Sequence, residues 1–139
     1  MKKIISLLLI LTMLFCIGCG NNKEKEALKY TIANTNYYDN AKLAERGYFI
    51  EELKSNDIYL TICMGEHSTG GYDITVNGMQ YDETSDTLTI TVQEKYPDPN
   101  LSVTQAFTYP YCIVSLNRVP NNIKVIDTFG FEFNKIKGV

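Results

Sequence analysis

The sequence holds one histidine, His67, among 139 residues. A catalytic base needs a nucleophile within hydrogen-bond reach and a third group to orient it. His67 stands four residues after Cys63, across a glycine, and that spacing supplies none of this geometry. A surface-loop histidine is the expectation, with a thiol-dependent enzyme using Cys63 or Cys112 as a competing reading. Cysteine is scarce too, four in all, and after residue 19 no C-x-x-C spacing occurs, so a structural zinc module has no ligand set. No D-x-D-x-D-G loop exists to gather six oxygens around calcium, and Glu66, Asp73, Asp82, Glu83 and Asp86 read as solvated turn residues. Neither a metal nor a cofactor is expected. Basic runs are missing as well: Lys23-Glu24-Lys25-Glu26 alternates in sign and cannot form a stripe against phosphates, which excludes nucleic acid as a partner. The longest apolar run, residues 4–17, falls short of the ~20 residues that a bilayer core demands.

What is present begins with an address. Lys2 and Lys3 precede that apolar run, which only Ser6 and Thr12 interrupt, and small Gly18 stands before Cys19. This is the pattern of a signal peptide. Cys16-Ile17-Gly18-Cys19 resembles a bacterial lipobox, with Cys16 where a leucine-like residue is commoner. The resemblance implies a signal peptide over residues 1–18 and palmitate-type acyl chains on Cys19. It implies a location at the outer face of the cell membrane. Each buried methylene contributes ~0.8 kcal/mol, so several chains on one cysteine hold a soluble domain firmly. Removal of the leader takes Lys2 and Lys3 from the 13 basic residues and leaves 11 against 16 acidic ones, a net charge of −5. Residues 19–28 are polar and charged without an apolar period, as expected of a tether. Residues 29–139 are about the usual size of one domain.

Strand periodicity organises that domain. In residues 58–64, Ile58, Leu60, Ile62 and Met64 alternate with Tyr59, Thr61 and Cys63; in residues 72–76, Tyr72, Ile74 and Val76 alternate with Asp73 and Thr75. Between them lies a polar loop, residues 65–71, with His67, two hydroxyls and three glycines able to take positive φ. Asn77-Gly78 reads as a bulge in a strand that continues to Tyr81, residues 82–86 as a turn, and Leu88, Ile90 and Val92 as the inner row of the next strand. Residues 96–100, with Pro97 and Pro99, break the ladder. Residues 103–116 form a strand that Pro110 consigns to an edge or a bulge. Further short strands are expected over residues 29–33, 48–50 and 123–127, with Phe129, Phe131 and Phe133 alternating in a last one. One short helix fits residues 40–45, capped by Asn40. The sum is all-β: an antiparallel sandwich or partly open barrel with at most one short helix. Cys63 shares a face with Tyr59 and Thr61, whereas Cys112 is in phase with the core row of Val114 and Leu116, so the two are expected as free thiols.

At these strands and loops the residues carry a likeness. Gly65-Glu66-His67-Ser68-Thr69-Gly70-Gly71-Tyr72, Gln93-Glu94-Lys95-Tyr96-Pro97 and Val103-Thr104-Gln105-Ala106-Phe107-Thr108-Tyr109-Pro110-Tyr111 resemble the domain at the C-terminus of PrcB, a lipoprotein subunit of a bacterial surface protease complex. The likeness covers residues 58–126. Ser68 stands where the family often has proline, and Asp98 where it often has glycine. The resemblance implies a non-catalytic partner of a surface protease. Ser68-Thr69-Gly70-Gly71-Tyr72 is also similar, with one extra glycine, to the Thr-Thr-Gly-aromatic loop of chagasin-type cysteine protease inhibitors. That likeness implies an immunoglobulin-like domain and, as the alternative function, protease inhibition through residues 65–71. The expected docking patch is His67, Ser68, Thr69, Gly70, Gly71 and Tyr72 from the first loop with Gln105, Tyr109, Pro110 and Tyr111 from the second. Its tyrosines combine buried ring area with a wet hydroxyl.

Overall fold

The computed structural model describes residues 26–35 and 40–137; the expected signal peptide, Cys19 and most of the tether lie outside the described residues. Seven strands and one helical turn follow in order: β1 (Tyr30–Ala33), α1 (Asn40–Leu43), β2 (Gly47–Glu52), β3 (Ile58–Cys63), β4 (Asp73–Asp82), β5 (Thr87–Lys95), β6 (Tyr111–Leu116) and β7 (Asn122–Asp127). They form two sheets, ordered β1-β6-β3-β2 and β4-β5-β7. The architecture is all-β, as the periodicity requires. Leu60, Ile62, Val114 and Leu116 from the first sheet share one core with Ile74, Leu88, Ile90, Val92 and Val125 from the second. Burying each such side chain stabilises the fold by roughly 1.5–3 kcal/mol. The register shift between Val76 and Gly78 is the expected bulge.

Five features depart from the sequence expectation. The β5–β7 pair is parallel, an exception to the antiparallel rule that arises because β6, in the other sheet, separates the two strands and makes a tight hairpin between them impossible. Strand β3 is not half-buried: Leu60, Thr61, Ile62 and Cys63 are all inside. Its second face is covered by Leu43 of α1 and Phe49 of β2, which build a smaller core around Cys63 with Tyr109, Tyr111 and Ile136 at its margin. A tertiary cover of this kind leaves no mark on the period of the strand it covers.

The expected strand over residues 103–116 begins only at Tyr111. Pro110, which cannot donate, stands just before it, and its carbonyl accepts the Met64 N–H at 3.0 Å. Strand β6 therefore runs between β1 and β3 rather than at an edge. Phe129, Phe131 and Phe133 form no strand; only an isolated bridge pairs Glu132 with Ile126, and Phe133 alone of the three is buried.

Asp86 is the fifth departure, because it is buried instead of solvated. It ends the β4–β5 turn with φ of 49°. Its Oδ1 accepts the Tyr81 hydroxyl at 2.6 Å and Arg118 Nη1 at 2.9 Å, and Oδ2 accepts the Asn121 N–H at 2.8 Å. The turn is thereby tied to the connection between β6 and β7. Asp82, by contrast, is solvated as expected; the Ser85 hydroxyl and the Thr84 N–H hold its carboxyl below the usual range.

The two cysteines occupy opposite faces of neighbouring strands. Cys63 pairs in register with Tyr111 and Cys112 with Ile62, and both thiols are free. The Cys63 thiol donates to the Glu45 and Gly47 carbonyls at 3.1 and 3.4 Å, and burial pushes it up to about 11. Burial pushes Cys112 up to about 12.

Candidate docking face

The loop after β3 crosses to the second sheet, and residues 96–110 return between the sheets along it. Gly65 opens the crossing at φ of 91°, where the Glu66 N–H reaches the Ala44 carbonyl at 3.1 Å. His67 and Thr108 then exchange backbone hydrogen bonds of 3.0 and 2.9 Å. Thr108 Oγ1 donates to the Thr69 carbonyl at 2.8 Å, and the Gly70 N–H donates to the Thr104 carbonyl at 2.8 Å. Tyr109 donates its hydroxyl to Glu66 Oε2 at 2.6 Å, a bond that pushes its phenol above the usual range. The two segments expected to cooperate are therefore one hydrogen-bonded unit. The backbones of His67, Thr69, Gly70, Thr104 and Thr108 make the seam.

Gly71 closes the loop at φ of 90°. A Cβ there would lie 2.8 Å from Pro97 Cβ and 3.2 Å from Val103 Cγ1. Only glycine fits both the conformation and the space. Gly70 is different from the expectation of three positive-φ glycines: its φ is not in that region, and a Cβ would make ordinary contacts of 3.5 Å or more with Thr104.

The His67 ring is half-buried and stacks on Tyr72, with centroids 3.8 Å apart. Tyr72 in turn meets Tyr96 edge-on at 6.0 Å. His67 Nε2 is buried without a hydrogen-bond partner among the described residues. The imidazole thus serves as one face of an aromatic stack, and no thiol addresses it. Cys63 is turned to the backbone of Glu45 and Gly47, and both cysteines are held as protonated thiols, whereas the nucleophilic form is the thiolate.

Of the expected contact residues, Ser68 and Gln105 are exposed at the surface of the unit, while Tyr109, Pro110 and Tyr111 are half-buried. Tyr109 and Tyr111 lie against the smaller core, so part of each ring is structural. Sequence reasoning missed Phe107, which is 67% exposed in the middle of the second segment. A lone phenylalanine between Ala106 and Thr108 is the signal it left. Beside this unit, where β1 and β4 form the facing sheet edges, a groove of about 510 Å³ runs over Tyr111, Cys112 and Ile113. Its lining carries no Asp, Glu, Lys or His, and its titratable groups are Tyr111 and Cys112. Among the described residues no three of His, Cys, Asp and Glu gather as metal ligands.

Residues 58–117 match the family model described as PrcB C-terminal. Over that stretch the chain is similar to the PrcB C-terminal family. The match runs from β3 through β6 and encloses both hydrogen-bonded loops, including the Thr-Gly-Gly-Tyr block at residues 69–72 and the Thr-x-Pro-Tyr block at residues 108–111. It stops at residue 117, short of the 126 expected from motifs alone, and leaves β1, α1, β2 and β7 outside the matched stretch. No curated protein and no solved structure matches the chain.

Proposed function

We propose that this chain is the non-catalytic, lipid-anchored subunit of a protease complex. It docks on a surface protease, or on another envelope protein, through the exposed crest of the hydrogen-bonded unit, Ser68, Gln105 and Phe107, with half-buried Thr69 and Tyr72 beside them. The family suggests the protease complex. The observation that carries the docking face is the double bond exchange between His67 and Thr108, which makes a rigid platform out of two loops distant in sequence. A rigid platform loses little conformational freedom on association and so spends less of its contact energy on ordering. Acylation of Cys19 after a Lys2, Lys3 and apolar leader supplies the membrane, and replacement of Cys19 by Ala should abolish metabolic fatty-acid labelling.

Inhibition in the manner of chagasin needs a loop free to enter an active-site cleft. Here the tip of the loop is bonded back onto Thr104 and Thr108, which favours a broad docking face over an inserting one. Co-isolation from membranes tests the assignment. A protease retained by the native chain should be lost when Ser68 and Gln105 are both replaced by Arg, and kept when Glu83, in the distant turn, is so replaced. Hydrolytic turnover by the purified chain that disappears with His67→Ala would contradict the non-catalytic assignment.

A further inference from the structure

Two phenylalanines stand in solvent where the chain turns after β7: Phe129 is 85% exposed and Phe131 69%. The turn is fixed. Asp127 Oδ1 accepts the N–H groups of Phe129 and Phe131 at 2.8 and 2.9 Å, the Asp127 carbonyl accepts the Gly130 N–H at 3.0 Å, and the Asp127 N–H donates to the Phe131 carbonyl at 2.9 Å. Gly130, at φ of 91°, takes the conformation that a side chain would resist. Both rings are thus held outward by an ordered backbone.

Together with Tyr96, itself 60% exposed, they wall a pocket of about 180 Å³ whose remaining lining is Glu94, Asp127 and Thr128. The two carboxylate side chains are nearly buried, and among the described residues the cation within ion-pair distance of them is Arg46, 3.1 Å from Glu94 and 3.9 Å from Asp127. The Arg46 guanidinium also lies 3.7 Å over the Phe133 ring. One guanidinium therefore serves two desolvated carboxylates, and the pocket carries an excess negative charge behind an aromatic rim.

We propose that this pocket receives a basic side chain, lysine or arginine, from a protein partner. Charge complementarity selects the occupant. A cation gains both the ring faces and the second negative charge, which one guanidinium leaves unbalanced although Asp127 accepts two backbone N–H groups and Glu94 the Tyr96 hydroxyl. A neutral apolar side chain would cover the rings and strip the remaining water from the carboxylates without replacing it. The volume admits the end of one side chain, not a folded segment. Tyr96 touches Tyr72, so the pocket is continuous with the docking face, yet Phe129 and Phe131 lie outside the stretch matched to the family. The pocket thus extends the docking face beyond the matched stretch. The inference does not depend on the partner being a protease.

Aromatic proton–carbon NMR of the full chain in detergent tests it, using Nα-acetyl-lysine amide, Nα-acetyl-arginine amide, the neutral Nα-acetyl-norleucine amide and tetramethylammonium as probes. Either basic amide should shift the Tyr96, Phe129 and Phe131 resonances saturably, about tenfold more tightly than the norleucine amide. Phe129→Ala and Glu94→Gln should each weaken that binding at least several-fold while leaving the remaining spectrum in place. Equal binding of the norleucine amide would reduce the pocket to an apolar patch and overturn the proposal. Binding of tetramethylammonium without either amide would assign it to small free cations and also overturn it, as would no shift by any probe. None of these outcomes bears on co-isolation through Ser68 and Gln105, so the two readings fail separately.

Discussion

The imidazole of His67 lies against the ring of Tyr72 with their planes 14° from parallel. That relationship makes the chain's one histidine a packing element of the loop. A stacked aromatic pair is worth roughly 0.5–1.5 kcal/mol beyond its buried area. His67→Ala should therefore cost stability of that order, and His67→Phe should recover most of it. Urea unfolding of the three chains checks this. Recovery by Phe would show that stacking of the ring, and not its nitrogens, stabilises the loop.

Gly71 and Gly70 should respond very differently to a methyl group. Gly71→Ala meets both a positive φ and a 2.8 Å approach to Pro97 and should cost ~2 kcal/mol or more. Gly70→Ala should cost well under ~1 kcal/mol, because its Cβ would find ordinary contacts. Thermal melting separates them, and equal melting points would show that the loop has no backbone requirement at Gly71.

The thiols set an alkaline limit. In the unfolded chain a cysteine ionises near 9.0, whereas Cys63 in the fold holds its proton up to about 11. Between those values the unfolded state has lost a proton that the native state keeps, so stability is fully present below pH 9 and falls as pH rises toward 11. The slope is up to about 1.4 kcal/mol per pH unit for each such thiol. Unfolding midpoints at pH 8, 9 and 10.5 should show the fall, and a Cys63→Ala chain should show a shallower one from its own starting value.

Asp86 and Arg118 offer a test of the hairpin tie. Asp86→Ala removes a buried carboxylate from Arg118, Tyr81 and Asn121 and should cost ~3 kcal/mol, since it also places a Cβ-only side chain at φ of 49°. Replacement of Asp86 by Asn should restore the turn geometry but not the charge. A double-mutant cycle with Arg118→Met measures the ion-pair share, and a coupling near zero would assign the whole effect to the turn.

The sequence carried the inner rows of β4 and β5, the strand β7 and the bulge near Gly78, because each depends on local period or turn chemistry. It was silent where neighbours decide. The cover over Thr61 and Cys63 comes from Leu43 and Phe49, about 20 and 12 residues away in the chain, which no alternation within β3 could reveal. Asp86 looked like any turn carboxylate until Arg118 closed over it. Phe129 and Phe131 matched a strand pattern, and only the capture of their N–H groups by Asp127 shows why they turn outward instead.

Docking through the bonded loops is tested most directly by photo-crosslinking from the anchored chain, with a photoreactive residue at Ser68, at Gln105 or, as control, at Glu83. The expected result is one and the same protease crosslinked from Ser68 and from Gln105 and not from Glu83. Different proteins captured from Ser68 and Gln105, or equal capture from Glu83, would contradict a single docking face built by His67 and Thr108.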